Sequence, residues 1–580
     1  MRLLLAFVFA STVAFAGEPA KIGDAIPNLV FTDTRSLART LDDLAAKKPI
    51  VIAFVDTACP LAQRYLPVLK NLSEEFGGVQ FLALNPTESD TVVATALQAV
   101  KMDIHFPFGK DFGGACAQSL GVTRTPEVVL IDADRKLRYR GRIDDQYRIG
   151  GTRKEPTARN LKAAISAVLA AKEVTTPTTE VDGCPITFPT ATKPKAVNFA
   201  EHIAPLMKAH CWQCHTTNGS GPFPLVTFKE VSSRAKAVAE AVALQRMPPW
   251  FTTHDFGPFT NRRGMTDEER AAIRDWVKLG MPEGEAAKVP APPKPPENKW
   301  TIGTPDKVLK TFEFQLPAQG DIPYKYAVLP TIFTEDTWVK GFQILPDNPR
   351  VLHHCNMAFV KVNEKFNEDA NFITGYVPGG EAAMCEEGVA ILVPAGSLLM
   401  LQMHFVSTGA PEKCTVSVGM RYPREIVKQR LQNHQITDRR FVIPAGAPAH
   451  KVAKTYTIDR EVLGVGLFSH MHVRGKDMSF IAHLPDGKDE TLLIVPNYNF
   501  EWQVPYRWEP GKKTFPKGTK LECIAHFDNS AFNPFNPDPK ATVKFGLQTH
   551  NEMMIGFFFY TDASENLNLK IDTKNGHTVK

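Results

Sequence analysis

The chain has little imbalance of charge, no dense basic stripe and, past its first residues, no apolar stretch long enough to cross a bilayer. Lysine and arginine total 67 against 62 acidic residues, a net charge of +5 over 580 residues. So small an excess gives no reason to expect nucleic acid as a partner. A membrane span needs about 20 consecutive apolar residues, and no later segment supplies them. No fixed-period repeat is present, which sets aside solenoids and propellers. Hydrophobic residues make up 43% and charged residues 22%, globular values that leave no large disordered body.

What is present begins with a leader. Arg2, the apolar run LLLAFVFASTVAF and the small residues AFA at 14–16 form a signal-peptide pattern, with cleavage expected after Ala16. The mature chain is expected in the periplasm or outside the cell, where some of its nine cysteines can pair. Its length calls for several domains, and two composition breaks place them. KEVTTPTTEVDG at 172–183 is rich in threonine, and the five prolines of KVPAPPKPPENK at 288–299 read as a stiff spacer. The expected units are 17–175, a linker at 176–194, 195–287, the proline-rich linker at 288–299, and a C-terminal region divided into 300–430 and 431–580.

The first unit alternates strand and helix: PIVIAFVD, PLAQRYLPVLKNLSEEF, VQFLALN, then the hairpin pattern PEVVLIDADRKLRYRGRI. The second is helical, with a capping box at Thr266–Glu269. The last 280 residues carry short alternating runs such as KTYTI, MSFIAHL, ETLLIVP and KLECIAHF, punctuated by turn residues. That pattern predicts two all-β sandwiches.

Cys59 follows a strand and opens a helix, where backbone N–H groups stabilise a thiolate. Thr125–Pro126 precedes the strand EVVLID. The order of elements and these two sites make the unit resemble the thioredoxin and peroxiredoxin-like superfamily, which implies an α/β fold and a cis-proline beside the cysteine. Position 62 is Ala, so no Cys-x-x-Cys dithiol exists, and Asp56 stands where peroxiredoxins place Thr. Two readings stay open: a degenerate domain kept for docking or folding, or a redox thiol at Cys59 with Cys116 as resolving partner.

CWQCH at 211–215 is a c-type haem attachment signature. Cys211 and Cys214 can form thioethers to one covalent haem c while His215 ligates the iron. A zinc knuckle would need a second pair of ligands, and no nearby cysteine provides it. An all-α cytochrome c domain follows. QRMPPW offers Met247 on a proline-stiffened turn as distal ligand, with Met265, Met281 and His254 as alternatives.

The C-terminal region holds four further motifs: VLHHCNMAF with His353 and His354, LQMHFVSTG with Gln402 and His404, FSHMHVRGK with His470 and His472, and HNEMMIGFFFY with Met553. In a strand, His470 and His472 would project from one face. Taken in this order, the set resembles the type II copper, ascorbate-dependent monooxygenases, represented by peptidylglycine α-hydroxylating and dopamine β-monooxygenases. The resemblance implies two jelly-roll-like β domains with one copper each. His353, His354 and His404 would hold the first, with Gln402 beside it. His470, His472 and Met553 would hold the second, where O₂ and a small-molecule substrate meet. Imidazole suits both copper oxidation states, and a thioether favours Cu(I). Phe468, Ile555 and Phe557 replace the residues with which peptide-amidating members hold a carboxylate, so a peptide C-terminus is not the expected substrate. Met554 stands where members carry a disulfide cysteine, while Cys355, Cys385, Cys414 and Cys523 would suffice for two bridges of unread connectivity.

The reading is an exported monooxygenase supplied with electrons by ascorbate, another reductant or a donor protein. A proline-rich spacer of this length extends roughly 35–40 Å, which would let a haem on His215 and Met247 visit the His353, His354 and His404 copper without a permanent interface. The alternative is a periplasmic electron-transfer or copper-handling protein with no organic substrate.

Overall fold

The structure, a computed structural model, describes residues 18–45, 47–188, 194–217, 219, 221–292, 299–362, 371–377 and 380–579. The leader at 1–16 lies outside the described residues, as do 189–193 of the first linker and 293–298 of the proline-rich spacer. Among the described residues, no helix is long and apolar enough to cross a membrane.

In the first unit the strands are β1 (Val30–Asp33), β2 (Ala38–Thr40), β3 (Ile50–Phe54), β4 (Gln80–Asn85), β5 (Phe108–Lys110), β6 (Arg124–Thr125), β7 (Glu127–Ile131) and β8 (Leu137–Gly141). All but β6 form one sheet, ordered β2-β1-β5-β4-β3-β7-β8. β3 is apolar throughout because it lies inside the sheet with both faces covered. Val51 and Ala53 pack on one side, with Leu66 and Leu69 of helix Pro60–Glu75, and Ile50, Ile52 and Phe54 on the other. β7 and β8 pair antiparallel, as the hairpin pattern predicts.

The first linker departs from its sequence reading. Residues 177–186 turn back onto this unit: Arg140 N donates to Pro177 O, Thr179 N to Arg140 O, and the strand Cys184–Pro185 pairs with β6. β-branched threonines and a polar backbone suit an added strand as well as a linker, and composition alone does not separate the two.

The helical unit contains Ala204–His210, Phe228–Ser232, Ala235–Ala243 and Asp267–Lys278. The last opens with the expected capping box of Thr266 and Glu269. This unit does not hang from its spacer. Trp250, Phe251, Phe256 and Phe259 lie in the core of the last β unit. Thr260 N donates to Arg507 O at 2.9 Å, Asn261 Nδ2 to Pro505 O at 2.7 Å, and Thr252 Oγ1 to Ile494 O at 2.8 Å. Four buried aromatics, each worth about 2 kcal/mol, make a standing interface and overturn the expectation of a roaming haem.

The first β unit has two four-stranded sheets. One runs Lys307–Lys310, Val416–Arg421, Gly341–Pro346, Ala383–Met384; the other runs Lys325–Phe333, Ser397–Phe405, Leu352–Lys361, Phe372–Tyr376. Alternate residues of both sheets, among them Leu309, Val418, Leu329, Met357 and Leu401, meet in one core. The second β unit repeats the plan with a five-stranded sheet containing Val462–His470 and Ile555–Asp562, and a four-stranded sheet of His450–Thr457, Lys520–Phe527, Gly475–His483 and Asp489–Val495.

All nine cysteines are free thiols. Cys355 and Cys414 lie in the first β core with Cys385 at its edge, Cys523 lies in the second, and these four are unbridged in the structure.

Candidate functional site

Neighbouring residues of a regular strand point to opposite faces, yet His353 and His354 both turn towards His404. A β-bulge makes this happen. Leu352 faces Phe405 and His354 faces His404 across the ladder, which leaves His353 as the extra residue and re-aims its ring. Ring centroids are 5.2 Å apart for His353 and His404, 4.8 Å for His354 and His404, and 5.3 Å for His353 and His354. One ring nitrogen from each lies within 4.8 Å of the other two.

Burial, with neighbouring imidazoles adding to it, pushes His354 well below its ordinary range and His404 down to about 4. These rings are neutral at pH 7, as metal ligands must be. Nδ1 of His404 is buried without a hydrogen-bond partner. Three converging imidazoles with an orphaned nitrogen fit a borderline or soft transition metal such as copper. Gln402 lies alongside, its Oε1 accepting from Asn356 Nδ2 and its Nε2 donating to Tyr326 O–H, each at 3.1 Å.

His470 and His472 do not share a strand. Strand Val462–His470 ends at the first of them, and His472 sits in the loop beyond. The rings nonetheless stand 5.4 Å apart at 87°. Two acceptors orient them: His470 Nδ1 is 2.7 Å from Gln503 Oε1, and His472 Nδ1 is 3.2 Å from Asn551 O. Each contact places the proton on Nδ1, which makes Nε2 the nitrogen with a lone pair to offer a metal. The loop is held by Glu552, which accepts from His472 N at 2.8 Å and Arg474 N at 2.7 Å and carries Met553 as its next residue. Burial, with the His470 ring adding to it, pushes His472 down to about 3.

His354 of the first set and all three residues of the second meet at one cavity of about 30 Å³ between the β units, lined by His354, Gln402, His470, His472 and Met553 and closed by Phe372, Phe468, Ile555 and Phe557. A second cavity of about 430 Å³ shares His354, Asn356, Phe372 and Phe468 with it and is otherwise walled largely by Ile373, Ile391, Leu467, Tyr506, Trp508 and Phe559. Phe500 packs between the sets, its ring centroid 5.7 Å from that of His354 and 6.1 Å from that of His472. Sequence reading missed Phe500, Gln503 and Glu501, since isolated residues on loops carry no spacing signal, and gave no role to Glu552 beside Met553.

In the helical unit, His215 N donates to Cys211 O at 2.8 Å, folding the CWQCH turn. His215 Nδ1 lies 2.9 Å from Phe223 O, which leaves Nε2 for iron. Gly221 keeps the ring's flank open, since a Cβ there would stand 2.8 Å from Nδ1. Burial pushes Cys211 up to about 12. Two free thiols beside an oriented imidazole fit a covalent haem. Met247, Met265 and His254 line a cavity of about 620 Å³ between the first and helical units, which none of the CWQCH residues lines. Met281 packs at the edge of the helical core.

Cys59 caps helix Pro60–Glu75 and is buried. Asp56, the departure from the peroxiredoxin pattern, accepts from Ala58 N and Cys59 N through Oδ1 and from Thr125 Oγ1 through Oδ2. It thereby ties the cysteine loop to the residue before Pro126, and the Thr125–Pro126 peptide is cis as the resemblance implies. Cys116 is not a neighbour of Cys59. It packs on the opposite face of the sheet, its thiol donating to Val30 O, and burial keeps that thiol well above its ordinary range.

Comparison with known proteins bears on the first unit. Residues 21–160 match the Redoxin family. No curated protein matches the chain. Among solved structures, a hypothetical protein from Sinorhizobium meliloti is 26% identical, over 30% of this chain and 98% of its own, with a TM-score of 0.28. An uncharacterised conserved protein from Geobacillus kaustophilus is 24% identical over 30% and 94%, TM-score 0.28. A peroxidoxin from Mycobacterium tuberculosis is 19% identical over 26% and 99%, TM-score 0.22. The chain thus carries a Redoxin domain, an oxidoreductase fold, ahead of a helical unit and a strand-rich C-terminal region.

Proposed function

We propose that the chain is an exported copper- and haem-containing monooxygenase that hydroxylates a C–H bond of an apolar small molecule. One observation carries this reading: a cluster of three imidazoles in one β unit reaches, through His354, the same cavity that His470, His472 and the Met553 thioether line from the other. His353, His354 and His404 would hold one copper, and His470, His472 and Met553 the other. Copper at such donors supplies one-electron redox chemistry and the activation of O₂.

The chain's own residues do the rest. Gln503 and Asn551 fix the imidazole tautomers of the second set. Phe372, Phe468, Ile555 and Phe557 wall the cavity with apolar surface and give a carboxylate nothing to pair with. The adjoining cavity of about 430 Å³ is of small-molecule size and largely apolar, and its Arg507 is paired with Glu381. Haem on Cys211, Cys214 and His215 would relay electrons from ascorbate or a donor protein.

A second reading, electron transfer or copper handling without organic substrate, is favoured by the size of the space between the two sets. About 30 Å³ admits water and little more. Ascorbate-driven O₂ uptake by the copper-loaded protein separates the two. Uptake that rises with an apolar substrate and yields a hydroxylated product supports the monooxygenase, and redox cycling of haem and copper without product supports the carrier.

A further inference from the structure

We infer that Cys59 and Cys184 form a reversible dithiol–disulfide couple, a redox site separate from the proposed metal centres. Cys184 lies outside the residues that match the Redoxin family and belongs to the segment that folds back on the domain.

The placement is built rather than incidental. Cys184 is the antiparallel partner of Thr125. On one side Arg124 Nη1 donates to Gly183 O at 2.7 Å, and on the other Ile186 N donates to Thr123 O at 2.9 Å. Gly183 approaches so closely that a Cβ would stand 2.3 Å from Thr125 O, so any side chain there would push the strand away. That same carbonyl accepts the Cys59 thiol at 3.1 Å. Thr125 therefore fixes both cysteines, one through its thiol and the other through its strand position. Both are thus held on one residue, and the interaction with Cys59, with burial after it, pushes the Cys184 thiol up to about 11.

Cys59 stands at the N-cap of helix Pro60–Glu75, beside its unpaired backbone N–H groups, and takes the attacking role. With an external disulfide as oxidant, the Cys59 thiolate attacks one of its sulfurs, forming a mixed disulfide and releasing one thiolate. Cys184 then loses its proton and attacks Cys59 Sγ, closing the internal disulfide and releasing the second thiolate. Two electrons pass to the external disulfide, and the two protons of the pair go to the released thiols.

The test is differential alkylation of the full chain, loaded with its cofactors and equilibrated with glutathione buffers of rising oxidised fraction. We expect Cys59 and Cys184 to become protected together, a Cys59–Cys184 linked peptide to appear, and Cys116 to be labelled after denaturation at every poise. In Cys184→Ser, a glutathione adduct should accumulate at Cys59. A Cys59–Cys116 linked peptide, or Cys184 still labelled once Cys59 is protected, would overturn the inference. Peptide mapping of the unsubstituted protein separates these outcomes even if the variant does not fold.

Discussion

His353 in the first β unit and Glu501 in the second are joined across the interface by a hydrogen bond from the imidazole Nε2 to a carboxylate oxygen. That bond holds the Glu501 carboxyl below its ordinary range. It is also a link between the two units that reaches the three-imidazole cluster itself. A carboxylate on a ligating imidazole fixes its orientation and raises its basicity.

Glu501→Gln should therefore weaken Cu(I) binding at the His353, His354 and His404 site by roughly 10–100-fold. The His470, His472 and Met553 site should keep its affinity. Competition with a chromophoric Cu(I) chelator reads both, and equal affinities in the variant and the parent would show Glu501 to be a surface contact.

Lys110 supplies a pH prediction in the Redoxin domain. It is 1% exposed, and burial lowers its pKa from 10.5 to about 8 against the pull of Asp90 and Asp111. Between those values the unfolded chain binds one more proton than the folded one, so stability should rise as pH is raised from about 8 to 10.5. Below about 8 the cost of burying the ammonium is fully present. Lys110→Met should gain about 2 kcal/mol at pH 7, after losing the bonds to Asn85 Oδ1 and Thr87 O, and that gain should vanish at high pH. Hydrogen exchange of the β4 amides, corrected for intrinsic rates, measures it. A difference that does not change with pH would contradict the assignment.

Much of this architecture was legible in the sequence. An unbroken apolar β3 and the capping box at Thr266 declare their own structure. The four His and Met motifs marked the residues that converge. What was not legible depends on three-dimensional accidents of register and docking. The bulge at His353 leaves no trace in composition. Cys184 reads as a linker residue because strand pairing with Thr125 is a long-range event. Trp250, Phe251, Phe256 and Phe259 read as ordinary apolar residues of a small helical unit, and only packing reveals that they fill the core of another one.

That interface changes how electrons are expected to move. With the helical unit fixed on the second β unit, haem oxidation by copper is expected to be intramolecular. Reducing the haem rapidly in copper-loaded protein and following its absorbance should give a rate independent of protein concentration. A rate that scales with concentration, or a haem that stays reduced, would remove the haem as donor.

The central proposal is that six named side chains hold two coppers, and metal analysis of the full chain tests it most directly. The parent protein should carry two coppers and one covalent haem iron, and His404→Ala and His472→Ala should each lose one copper while keeping the haem. Two coppers retained in both variants, or none bound by the parent, would contradict it.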